Sequence, residues 1–210
     1  MTFEPLRRAP SFRRVGFSLA AMLLLASCSS VAPPRFHTLL PSARAASTPA
    51  SGAGPAWQMP PVTIPAQVDQ PQFVVRRADD TLAVLEQERW IAPLQDEIRA
   101  ALVEHLTLKV GSPGARPVLG RKDWRVVIDV SRFDSTPGRA SLVVEWALLA
   151  GAGESAALRC RSHFEQPVDA GMAALAAGHR QNLERLGASI ALGLTSVNAG
   201  QAAGCPAATP

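Results

Sequence analysis

Residues 124–134, Trp124-Arg125-Val126-Val127-Ile128-Asp129-Val130-Ser131-Arg132-Phe133-Asp134, decide how this chain folds. Trp124, Val126, Ile128 and Val130 fall at every second position, and Arg125, Asp129 and Ser131 alternate with them. Successive side chains of an extended chain point to opposite faces, so the pattern predicts a strand with one apolar and one polar side. Ser135-Thr136-Pro137-Gly138 then turns the chain, and Leu142, Val144, Trp146 and Leu148 share a face of the next strand. After a second turn at Gly151-Ala152-Gly153, Leu158, Cys160 and Phe164 share a face opposite Arg159, Arg161 and His163. Short turns between neighbouring strands imply antiparallel pairing. The apolar faces of these three strands need a cover.

Two helices supply that cover. The last, about Gly171 to Val197, carries Leu183, Leu186, Ile190, Leu194 and Val197 at steps of three and four, the spacing of a single helical face. Gly178, Gly187 and Gly193 each weaken it by about 1 kcal/mol relative to Ala, so packing must hold it together. The earlier helix, Pro93 to Val110, repeats Leu94, Ile98, Leu102 and Leu106 every four residues. Pro93 suits its first position, Asp96 and Glu97 its positive end, and Lys109 and Gly111 its close. Ahead of it, Phe36-His37-Thr38-Leu39, the alternation of Val62 and Ile64 between Pro61 and Pro65, and the runs Phe73–Arg76 and Thr81–Leu85 about the Asp79-Asp80 turn all read as strands. The expected order is β-β-β-α-β-β-β-α. This is an α/β sandwich in which two amphipathic helices pack a mixed sheet of five to six strands, since the first helix is a crossover long enough for parallel pairing.

The ends of the chain are different in kind. Arg7, Arg8, Arg13 and Arg14 precede an apolar run from Val15 to Ala26, closed by Leu25-Ala26-Ser27-Cys28. A positive start, an apolar middle of roughly 7–15 residues and small residues at the cut make a signal peptide. The run is short of the about 20 residues of a membrane span. A cysteine after the small pair resembles the bacterial lipoprotein box, against the alternative of an ordinary secretory signal. That resemblance implies cleavage before Cys28, a diacylglyceryl thioether on its sulfur and acylation of the new amino terminus. One acyl chain gives only marginal membrane binding, so two or three make a stable anchor. Ser29 stands where an inner-membrane retention signal would show Asp, which points to the outer membrane, facing the periplasm. The expected organisation is a removed signal over 1–27, a lipidated tether over 28–35, a domain over 36–198 with a flexible loop at 41–56, and a disordered tail over 199–210.

The leader holds four Arg and one Glu of the 21 basic and 17 acidic residues, leaving 17 and 16 in the mature chain. The basic balance is therefore largely an export signal, with no footprint for nucleic acid. Cys160 and Cys205 are an even pair in an oxidising compartment. They are either a disulfide holding down the tail, or a small buried thiol and a loose one.

No catalytic or metal constellation emerges, and no cofactor beyond the lipid on Cys28 is expected. His37, His105, His163 and His179 show no metal-ligand spacing. His105 reads as a hydrogen-bonded, partly buried core histidine. No Gly-x-Ser-x-Gly elbow is present, and Gly111–Gly120 and Gly151–Gly153 lack phosphate-cradling spacing. Glu86 and Glu88 read as solvated charges. Arg89-Trp90-Ile91-Ala92-Pro93-Leu94 has two readings. Trp90 is an anchor packed on the sheet, or Arg89, Trp90 and Pro93 form an exposed corner that docks a partner, since Trp and Arg are enriched at interface hot spots.

Taken together, the lipoprotein box, Phe-His-Thr-Leu-Leu-Pro at 36–41, the flexible linker, Val-Thr-Ile-Pro-Ala at 62–66, Pro-Gln-Phe-Val-Val-Arg-Arg at 71–77, Arg-Trp-Ile-Ala-Pro-Leu at 89–94, the 124–134 strand and the final helix resemble the PqiC family. These are ABC-type transport auxiliary lipoproteins. The resemblance spans Cys28 to about Val197; Phe36-His37 stands where an aromatic pair is usual, and Cys205 lies outside the pattern. It implies a non-enzymatic envelope component, partnered by a periplasmic MCE-domain tunnel protein and membrane-embedded transport subunits. Such a component helps lipids pass between the membranes and maintains envelope integrity, touches outer-membrane lipid, and is compatible with a homo-oligomer. The alternative is a periplasmic lipid-binding carrier whose sheet and helices open around an acyl chain.

Overall fold

The computed structural model describes residues 32–41, 54–114, 122–151, 156–202 and 204–206. The signal segment, Cys28 and residues 42–53, 115–121 and 207–210 lie outside them. Strands β1 (Arg35–His37), β2 (Ala56–Gln58), β3 (Gln72–Arg76) and β4 (Leu82–Trp90) precede helix α1 (Leu94–Val110). Strands β5 (Asp123–Thr136), β6 (Arg139–Ala150) and β7 (Ala156–Pro167) follow, and α2 (Met172–Asn198) closes the fold.

The α/β class and mixed pairing are as expected, but the strands divide into two sheets. The larger has the order β2-β5-β6-β7 and the smaller β1-β4-β3. Parallel pairing across the first helix joins β2 to β5, with Trp57 opposite Trp124. The expected strand at Val62 and Ile64 does not form. Thr63 alone bridges, to Asp129, through Thr63 N to Ile128 O and Val130 N to Thr63 O. Pro60, Pro61 and Pro65 have no N–H to give a ladder, so pairing lasts for one residue. The strand at this edge lies earlier, at 56–58, and takes in the end of the expected loop; Ala56 is buried.

The long strands keep their predicted faces. Trp124, Val126, Ile128, Val130, Leu142, Val144, Trp146, Leu148, Leu158, Cys160 and Phe164 are all buried. Trp146 Nε1 donates to Ser162 Oγ at 3.0 Å, which satisfies the one polar atom of that ring. Helix α2 lies on β6 and β7 and against α1. Its seam comes so close to the sheet that a Cβ at Gly193 would sit 3.0 Å from a Leu158 methyl and 3.2 Å from the Trp146 ring. Leu94, Ile98, Leu102 and Leu106 of α1 are at most 1 % exposed, each contributing about 1.5–3 kcal/mol by burial.

The tail is not free throughout. Cys160 and Cys205 are disulfide-bonded, with Cα atoms 5.5 Å apart, which lays residue 205 against the outer strand of the larger sheet. An edge strand exposes an unused row of backbone groups, and Cys205 Sγ lies 3.3 Å from one of them, Arg159 O.

Candidate functional site

Strand β1 is only three residues long, yet it and the residues just past it are held by β4, Glu88 and both helices. Along its length it runs parallel to β4, Arg35 opposite Glu88, Phe36 opposite Arg89 and His37 opposite Trp90. Beneath it, Glu88 is buried. Its carboxylate accepts from the Arg35 guanidinium and shares a 2.7 Å hydrogen bond with His37 Nε2. Burial pushes the Glu88 carboxyl up, but the bonds and charges of His37 and Arg35 outweigh it and hold the group below the usual carboxylate range. Glu88 is thus not the solvated charge that its sequence context predicts. A register shift between Gln72 and Phe73 lets β4 bulge opposite β3, and Glu88 lies within the bulged stretch.

Just past β1 both helices take hold of the backbone. Glu97 of α1, 4 % exposed, accepts from Leu39 N at 2.7 Å and Thr38 Oγ1 at 2.8 Å. Arg180 of α2 donates to Thr38 O at 3.1 Å. Leu39 is fully buried between these contacts. A carboxylate that accepts a buried N–H is a strong, charge-assisted partner.

An aromatic column carries the same site inward. Trp90 stacks on Phe73 with centroids 4.5 Å apart and meets Phe133 edge-on at 6.0 Å. His37 meets Phe73 edge-on at 5.6 Å, and Phe133 stacks on His179 at 3.8 Å. Phe133 reaches this position because β5 carries an extra residue between Val130 and Arg132. The bulge reverses the alternation, so Phe133 and Ser135 turn inward and Asp134 turns out to pair with Arg76 at 3.2 Å.

Trp90 is therefore an interior anchor, 4 % exposed, and the exposed aromatic-basic corner of the second sequence reading is not formed. The indole fills the gap between two sheets, where its burial outweighs any surface role. Arg89 is half-buried and donates from Nε to Glu86 O at 3.1 Å. Pro93 is exposed and precedes the first helical residue. Cys28 lies outside the described residues.

Sequence reasoning missed Ser135 and His179, whose Oγ and Nε2 share a 2.8 Å hydrogen bond. The pair is a serine and a histidine at bonding distance, but Ser135 is 2 % and His179 0 % exposed. His179 Nδ1 has no partner, so no acid orients the ring as nucleophilic catalysis needs. Burial lowers the His179 pKa to about 3, and the ring is neutral. Only about 170 Å³ of empty space lies beside Ser135, Trp90 and Phe133. The pair is a packed core contact. His105, expected to be hydrogen-bonded, is buried with Nε2 unpartnered. Among the described residues no three His, Cys, Asp or Glu side chains are placed to hold a metal ion. No helix among them is long and apolar enough to cross a membrane.

Four stretches far apart in sequence, 35–40, 88–97, 133–135 and 179–180, thus converge on one strand. The family model for the ABC-type transport auxiliary lipoprotein component matches residues 37–191, well over half the chain. The chain belongs to this family. The auxiliary lipoprotein fold recurs in solved structures. A crystal structure of an uncharacterised protein superposes with a TM-score of 0.60 at 17 % identity, over 76 % of this chain and 97 % of that one. A Xanthomonas campestris protein of the DUF330 family superposes with a TM-score of 0.57 at 19 % identity, over 72 % and 91 %. At such identities the likeness establishes the shared fold. No curated protein shows significant similarity to the chain.

Proposed function

We propose that this auxiliary lipoprotein is anchored to the outer membrane through lipid on Cys28, faces the periplasm, and serves an MCE/ABC-type intermembrane lipid transport system. Its partners are an MCE-domain tunnel protein and the membrane-embedded transport subunits. It contributes binding and placement, not chemistry. The observation that carries this reading is the bracing of β1 by Glu88 and of the residues just past it by Glu97 and Arg180. A domain that merely trails from its anchor has no need of two buried carboxylates on the incoming segment, one at Arg35 and His37 and one at Thr38 and Leu39. A domain that must hold a fixed attitude to a membrane and a tunnel does.

The test is affinity purification from gently solubilised envelopes, with protein and lipid mass spectrometry on one eluate. Recovery of an MCE-domain protein without stoichiometric phospholipid supports the docking role. Stoichiometric phospholipid with no protein partner replaces it with the carrier reading. Full membrane-bound activity of Cys28→Ala defeats the anchoring part.

A further inference from the structure

Large apolar side chains left in solvent are not spread evenly over this domain. Among the described residues six are exposed, and five of them, Phe36, Leu40, Leu82, Val84 and Ile91, belong to the three-stranded sheet or the residues just past its strands. Leu192 of α2 is the sixth. Contiguous exposed apolar surface marks a contact site, whereas single residues need no explanation.

Phe36 and Ile91 are the most exposed of the five, at 56 % and 59 %, and they are neighbours. Phe36 pairs with Arg89, and Ile91 N donates to His37 O at 2.9 Å. His37 and Trp90 point to the aromatic column, so strand alternation sends Phe36, Arg89 and Ile91 to the opposite side. Arg35 lies on the other side with His37, where its guanidinium bonds Glu88.

The length of the preceding chain says what covers them. Arg35 is seven residue steps from Cys28, which span at most about 23–25 Å when fully extended. We propose that the corner of Phe36 and Ile91 is a second membrane contact, sitting in the interfacial layer of the bilayer that holds the tether. This rests on the lipid anchor proposed above. Acyl chains would hold the domain near the bilayer, and the two apolar side chains, with Arg89 between them at headgroup level, would fix which side faces it. Apolar residues flanked by Arg suit that layer.

All four native tryptophans, Trp57, Trp90, Trp124 and Trp146, are buried, so an added indole reports alone on lipid. The lipidated full-length mature chain carrying Phe36→Trp is reconstituted into vesicles of phosphatidylethanolamine and phosphatidylglycerol, with and without brominated acyl chains. Leu192→Trp serves as the control, and flotation with N-terminal mass spectrometry reports the anchor. Expected is loss of emission from Phe36→Trp in brominated vesicles, no loss from Leu192→Trp, and relief of the quenching when Ile91→Asp is added. Flotation without quenching of Phe36→Trp overturns the corner and leaves the anchor standing; it assigns the patch to a protein partner. Equal quenching of both reporters also overturns it. A chain that does not float overturns anchor and corner together.

Discussion

Ser135 Oγ and His179 Nε2 lie 2.8 Å apart in the interior, beneath the Phe133 ring that covers the imidazole at 3.8 Å. The histidine is held neutral, its pKa lowered to about 3 by burial. In the unfolded chain it titrates near its ordinary value of about 6.5. Below that pH the unfolded state binds a proton that the folded state refuses, so stability falls as the solution is acidified from about 6.5 toward 3. The slope is about 1.4 kcal/mol per pH unit for one proton. His179→Phe keeps the stack and removes the proton. Urea melts across that window should show a slope one proton shallower for the variant; an unchanged slope would remove His179 from the acid response.

Glu97 accepts the N–H of the buried Leu39. Glu97→Ala leaves Leu39 N–H buried without an acceptor, at a cost of about 1–3 kcal/mol. Glu97→Gln keeps a carbonyl oxygen and should cost less. Amide exchange at Leu39 is the direct measurement, and it should quicken in the Ala variant far more than at the centre of β6.

Gly187 is set where α1 and α2 pack. A Cβ there would lie 2.8 Å from the Cβ of His105, an atom fixed to its own helix backbone. Gly187→Ala gains about 1 kcal/mol in helix propensity and loses about 1–3 kcal/mol to overpacking. A net loss of stability in denaturant is expected. A net gain would show that the two helices can part at little cost.

The bond between Cys160 and Cys205 closes a span of 45 residues that includes all of α2. Cys205→Ser should cost about 2–4 kcal/mol and free the tail for proteolysis while β7 and α2 keep their places. Reductant should destabilise the parent chain by a similar amount and leave the variant unchanged.

The regular parts of this fold were legible because their periodicities are clean. Leu94, Ile98, Leu102 and Leu106 declare one helical face, and Trp124 to Val130 one strand face; all are buried as read. What escaped was decided where a periodicity breaks. Ser131 and Arg132 are two consecutive polar residues between Val130 and Phe133, and that interruption is the only trace of the bulge that brings Phe133 to Trp90 and His179. Val62 and Ile64 alternate as a strand should, but the prolines beside them leave too few donors for a ladder. Glu88 and Glu97 look like surface acids because a sequence shows charge and not the hydrogen bonds that compensate its burial. Trp90 suited a packed anchor and also a docking surface, and its neighbours Phe73 and Phe133 decide for the anchor.

The parallel pairing of β1 has a mechanical meaning. A pull on the segment before Arg35 runs along the strand axis, so the three β1–β4 residue pairs are strained together in shear and not peeled apart singly. Behind them Glu97 and Arg180 pass the force to a helix each. Tension arriving along the chain before Arg35 is thus spread into both helices at its point of entry.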